Sequence, residues 1–198
     1  MSTNSGISIG FFSTGITGAF DARTASSNFR KAGAAFKKLA AECGFRTVAL
    51  ESPIYTRREL QSFMELCADE RVSAVVLHTA SFTSGEIGQE LAWHAGQRSL
   101  PVLIWGVPER AGGPLPVNNL CCANFMASIF HAQGVPYKWA WGAPGAANVC
   151  GAIADTAAAV RGMAALRGAV IGVVGSGRVP GFYGSNFDET AIKSRFGV

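Results

Sequence analysis

Ala74-Val75-Val76-Leu77-His78 is the stretch that decides the architecture. Four successive apolar residues, two of them β-branched and none alternating with a polar neighbour, describe a strand covered on both faces. Such strands belong to parallel sheets flanked by helices. Working outward, the same signature recurs at Ile7 to Phe12 (followed by a glycine-rich loop to Gly18) and at Thr47 to Leu50. Downstream it returns at Val102 to Trp105, opened by Pro101, and at Tyr137 to Trp141. Helical periodicity fills the intervals. Ala22 to Cys43 carries Phe29, Ala32, Phe36, Leu39 and Ala40 on one stripe and stops at Gly44. Thr56 is a good N-cap for a helix with Leu60, Phe63, Met64 and Cys67 on its buried face. Helices at Gly85 to Ala95 and Asn118 to Ala132 follow, and a long alanine-rich one at Ala146 to Leu166.

Five βα units over residues 5–145 predict an α/β fold: a three-layer parallel sheet, flavodoxin-like or Rossmann-like, in the order 2-1-3-4-5. Residues 1–145 form the expected N-terminal domain and 146–167 a connecting helix. The remainder, 168–198, reads as the first βα unit of a second α/β domain. It has a strand at Ala169 to Val174 and another starting at Phe196-Gly197-Val198, so the second domain is expected to be incomplete.

Charged residues make up only 15% of the 198 residues, against an average near 25%, while 48% are hydrophobic. Apolar material in such excess is expected to be hidden in a subunit or domain interface, and a homo-oligomer is expected. The net charge of +4 forms no basic stripe of the kind that tracks a phosphate backbone, which argues against nucleic acid. The longest clean apolar run, Ala169 to Gly175, is short of the roughly 20 residues of a membrane span. No signal-peptide pattern precedes the first strand, so a cytoplasmic location is expected. Five cysteines without a C-x-x-C pair fit neither a disulfide framework nor a zinc ribbon.

In an open parallel sheet, ligands bind beyond the carboxyl ends of the strands where strand order reverses, here between the first and third strands. That rule selects Ser13, Thr14, Asp21 and Arg23 from the first loop, and His78, Thr79, Ser81 and Phe82 from the third. The fourth offers Trp105, Glu109 and Arg110. Arg23 is either a five-donor group for an oxygen-rich ligand or a solvated charge paired with Asp21. His78 is either an acid–base group or a hydrogen-bonded core residue. Trp105 either lines a sugar face or packs in the core. Asn118-Asn119, before the apolar run from Leu120, reads mainly as a helix cap. The loop Gly175 to Gly181 departs from the dinucleotide fingerprint at Pro180. His78, His94 and His131 have no chelating spacing.

Several of these segments together resemble the L-fucose and L-arabinose isomerase family. They are Phe20-Asp21-Ala22-Arg23, Val76-Leu77-His78-Thr79 with Phe82 and Ser84, Pro101 to Gly106, Asn119-Leu120, Gly172 to Gly184 with Phe187-Asp188, and Arg195 to Val198. The resemblance implies an aldose–ketose isomerase working through an ene-diol, with a divalent metal, manganese, holding two substrate oxygens. It places the metal ligands and paired carboxylates outside this segment. It assigns this domain a wall of a neighbouring subunit's active site, with Arg23, His78, Thr79, Phe82 and Trp105 as substrate contacts. The position near Asn124, where arabinose isomerases carry a histidine, departs from that pattern. A second reading is a cytosolic flavodoxin-like domain that binds a sugar or phosphate without catalysis.

Overall fold

A computed structural model describes residues 6–172 and 188–198. Two compact units divide the chain, Met1–Ala157 and Ala158–Val198. In the first, five parallel strands run in the order β2-β1-β3-β4-β5. They are β1 (Ser8–Thr14), β2 (Arg46–Ala49), β3 (Ala74–Thr79), β4 (Val102–Gly106) and β5 (Lys138–Trp141). The helices α1 (Ala22–Cys43), α2 (Arg57–Asp69), α3 (Gly85–Arg98), α4 (Asn119–Ala132) and α5 (Ala147–Leu166) alternate with them. This is the three-layer Rossmann-like α/β sheet that the apolar runs predict, and its strand order is the expected one.

The pleat sorts the core into two layers, because successive residues of a strand point to opposite faces. On one face Phe11 stacks on Phe36 of α1 at 4.8 Å. On the other Phe12 meets Phe63 of α2 at 5.1 Å, within a cluster that adds Val75, Leu77, Ile104, Leu91 of α3 and Met126 of α4. Helix starts and stops are local. The side chains of Thr56 and Glu59 reciprocally bond each other's backbone N–H at the start of α2. Gly44 ends α1 at φ 67°, a left-handed conformation that favours glycine.

Helix α5 is long and apolar enough to cross a membrane by length and composition. The run criterion misses it because Asp155 and Arg161 interrupt an alanine-rich sequence. Within the first unit it buries Val149, Ile153 and Ala157, a stripe of period four that suits a core helix.

In the second unit the last described element is a helix, α6 (Glu189–Phe196), where the sequence reading expects a strand to begin at Phe196. Asp188 caps it by accepting from the Ala191 N–H, and Gly197 closes it at φ 72°. Residues 169–172 carry no strand, and the rest of the expected strand, with the Gly175 to Gly181 loop, lies outside the described residues.

Candidate functional site

Three loops meet at the carboxyl edge of the sheet, and hydrogen bonds stitch them together. The Phe82 N–H donates to the Val117 carbonyl (2.8 Å) and the Asp21 N–H to the Pro116 carbonyl (2.9 Å). The Ala80 and Ser81 N–H groups both donate to Thr14. The Thr83 hydroxyl donates to the Gly15 carbonyl at 3.1 Å. Phe82 spans the junction, 5.8 Å from Phe20 and stacked on Phe125 of α4 at 5.9 Å.

Arg23 stands exposed in the first turn of α1. The expected pairing with Asp21 takes a different form. The Asp21 carboxylate caps α1 by accepting from the Arg23 and Thr24 N–H groups, and those backbone bonds, Thr24 first, hold its pKa below the usual value.

His78 and Trp105 have no exposed surface. His78 Nδ1 is 2.8 Å from the Ser13 hydroxyl, and its ring lies 6.1 Å from Phe11 and 4.9 Å from Trp105. Burial pulls its pKa down to about 3, so the imidazole is neutral at physiological pH. The Trp105 indole N–H donates to the Gly142 carbonyl at 3.0 Å, tying down the start of the connection to α5. These two residues occupy the α1 face with Phe11. Thr79 follows His78 in the strand and so takes the opposite face. Its hydroxyl reaches only the Trp105 carbonyl, at 3.5 Å. The five residues singled out from sequence are therefore spread over a surface position, a half-buried junction and two separate core layers.

The sequence reading missed what lies at the start of α4. Asn118, at the N-cap, has φ 52° and makes no capping bond through its side chain. The cap comes from Glu109 instead, whose Oε1 accepts from the Val117 and Asn118 N–H groups (3.0 and 3.1 Å) and Oε2 from Asn119 (2.8 Å). A carboxylate on three N–H groups at a helix N-terminus satisfies orphan donors and complements the helix dipole. The Asn-Asn pair thus marks the helix start correctly but does not supply the cap.

Asn119 turns inward, is fully buried, and neither its Oδ1 nor its Nδ2 has a hydrogen-bond partner. One turn on, Cys122 lies beside Thr83 and Thr14, and burial pushes its thiol up to about 12. The Thr14 hydroxyl is likewise buried without a partner. Unpaired polar groups of this kind cost about 1–3 kcal/mol each. The signal was present in the sequence, because Asn119 begins the stripe continued by Cys122, Ala123, Met126 and Phe130, the buried face of α4. Close approach here also needs Gly106: a Cβ there would sit 2.5 Å from the Trp141 ring and 3.1 Å from Ala123.

Fold and site together define an α/β domain whose carboxyl edge holds buried polar side chains beneath hydrogen-bonded loops. No family model matches the chain. Proteins named sulfoquinovose isomerase from Priestia aryabhattai and Priestia megaterium (strain ATCC 12872 / QMB1551) are each 28% identical to it over 152 residues, 76% of this chain and 33% of theirs. The chain spans about a third of the length of these curated relatives. The likeness is to sugar isomerases, and it does not single out the L-fucose or L-arabinose branch.

Proposed function

We propose that this chain is the sugar-binding N-terminal portion of a cytoplasmic aldose–ketose isomerase, acting as a homo-oligomer on a monosaccharide. The similarity to two sulfoquinovose isomerases supports the reaction class and makes a sulfonated aldose the first substrate to try. L-fucose and L-arabinose, which the sequence resemblance implies, come next. The observation that carries a role for this domain is the pair of buried, unpartnered groups at the switch point, the Asn119 carboxamide and the Thr14 hydroxyl. A carboxamide both donates and accepts, so it can hold two neighbouring hydroxyls of an open-chain sugar at once. Reaching it requires the loop 107–118 to lift from the edge. Arg23, exposed beside the first loop, is the charged contact of this reading, and Phe82 supplies the apolar one. His78 and Trp105 act from the other layer by holding the strand ends still.

The divalent metal implied by the resemblance, manganese, does not fit the residues present. Among the described residues no three His, Cys, Asp or Glu side chains come together. In this reading its ligands lie in the part of the relatives' length that this chain does not span, and no step is assigned to it. The test is an NMR isomerisation assay on the polypeptide purified at its native length, with sulfoquinovose, L-fucose and L-arabinose. Interconversion of at least one aldose with its ketose is expected. Binding of a sugar without conversion favours the non-catalytic binding domain instead.

A further inference from the structure

On the outer side of α2 and α3 lies a cleft of about 820 Å³, lined by Arg57, Gln61 and Glu65 of α2 and by Glu86, Glu90, Trp93 and neighbours on α3. Its floor is organised. Glu90, only 8% exposed, accepts from Arg57 Nε (2.7 Å) and Gln61 Nε2 (2.9 Å), and His94 stands 3.4 Å away. With Glu90 neutralised by Arg57, Glu65 and Glu86 remain as exposed carboxylates. Beside these carboxylates stands Trp93 of α3, 56% exposed, its ring edge-on to His94 at 4.8 Å. An aromatic face flanked by carboxylates is a receptor for ammonium or guanidinium groups, and the long stems of lysine and arginine pack on the ring.

The chain carries the matching cations itself. Arg30, Lys31, Lys37 and Lys38 are all exposed on α1, as two pairs seven residues apart. Lys38 touches Glu42 at 3.8 Å, in a pair so exposed that it holds the lysine weakly. Seven helical residues span about 10.5 Å, so Lys31 and Lys38 repeat at the same interval as Glu86 and Trp93. We propose that the α2–α3 cleft receives the basic face of α1 from a second copy of this chain.

Helix α1 packs on the Phe11 face of the sheet and α2 on the Phe12 face. The two partner surfaces therefore lie on opposite sides of the domain. Such a contact is head-to-tail, and copies joined by it close into a ring or extend as a filament. One rung sets Lys38 against Glu86 and the other sets Lys31 over Trp93, with Arg30 and Lys37 facing Glu65.

Sedimentation velocity on the 198-residue chain tests this at about 0.02 M and about 0.5 M salt, conditions that lengthen and shorten the reach of charges. The expected result is a weight-average mass at least twice the monomer's 20.7 kDa at low salt, falling toward it at high salt. A cleft variant (Glu65→Lys with Glu86→Lys) and a stripe variant (Lys31→Glu with Lys38→Glu) should each be monomeric. Their equimolar mixture should associate, because reversed cleft meets reversed stripe. Trp93→Ala, which leaves every charge in place, should weaken association about tenfold and guards against misfolding of the reversed variants. The proposal is overturned by a wild-type chain that is monomeric at both salts, including one whose cleft binds a basic peptide instead. Association that survives in both reversed variants, or a mixture that stays monomeric, also overturns it.

Discussion

Replacing Asn119 by leucine should make this domain more stable and less useful. The carboxamide is fully buried and neither of its polar atoms is paired, so the native state carries a desolvation cost of about 1–3 kcal/mol with nothing to offset it. Leucine has the same branched heavy-atom skeleton with two bulkier methyl ends, so the swap opens no cavity, and the gain is what remains after those methyls are fitted in. A gain of about 1–3 kcal/mol corresponds to a Tm rise of about 2–12 °C in a domain of this size. Calorimetry and urea unfolding would read it, with an unchanged m-value marking an intact native state. The same variant at native chain length should lose at least about tenfold in kcat/KM, or about 1.4 kcal/mol of transition-state binding. A destabilisation of more than about 1 kcal/mol would refute the reasoning, because it would mean that the carboxamide is satisfied in solution. A stabilised variant of undiminished activity would remove Asn119 from the site.

Glu109→Ala takes the carboxylate from three N–H groups at the start of α4 and should cost about 1–3 kcal/mol in thermal unfolding. Glu109→Gln, which keeps one acceptor oxygen, should cost less, and equal losses would tell against capping. Between its ordinary pKa of 6.5 and about 3, His78 is neutral when folded and protonated when unfolded. The unfolded chain then binds the extra proton, so stability should fall by up to about 1.4 kcal/mol per pH unit as the pH drops through that window. Urea midpoints across pH 3–7 should lose this component in His78→Gln, and an unchanged acid limb would place the proton elsewhere. Arg23→Ala removes an exposed side chain outside the core, so melts should move by less than about 0.5 kcal/mol while kcat/KM falls at least about tenfold. Silence in kinetics with several aldoses would take Arg23 off the substrate.

The sheet was legible because strands buried on both faces are written as continuous apolar runs, and the short length and two valines of Ala74 to Leu77 favour strand over helix. Local punctuation was legible for the same reason: Gly44 and Thr56 act on groups within four residues of themselves. Glu109 was not legible as a cap. It reaches N–H groups eight to ten residues away through a glycine- and proline-rich loop whose path no periodicity encodes. The separation of His78 from Thr79 follows from the pleat alone, yet knowing which helices cover each face requires the crossovers. Asn119 was misread because a polar residue before an apolar run suits a cap locally. Only the stripe from Cys122 to Phe130 shows that it points inward. At the other end of the chain, Phe196-Gly197-Val198 looked like a strand start, but a glycine in the left-handed region is equally a helix stop, and here it closes α6.

The two layers differ in what it takes to open them, and that difference decides which side a ligand can use. Exposing His78 means displacing Trp105 and Phe11, both fully buried, and losing the contacts of such aromatics costs about 3–5 kcal/mol apiece. Exposing Asn119 and Thr14 means lifting the loop 107–118. The ties that hold it to the rest of the domain are the bond from the Asn119 N–H to Glu109, the backbone bonds from Phe82 and Asp21, and the burial of Val117, while the Glu109 bonds to Val117 and Asn118 lie within the loop itself. At about 1 kcal/mol net for each of the three crossing bonds and about 2 kcal/mol for exposing Val117, the loop opens for about 5 kcal/mol, within the range of local openings in folded domains. Sugar hydroxyls that bond the Asn119 carboxamide return part of that free energy, whereas no polar ligand regains the burial of two aromatic rings. The unsatisfied atoms on the α4 side are thus within reach of a substrate, and the unsatisfied Nε2 of His78 on the α1 side is not.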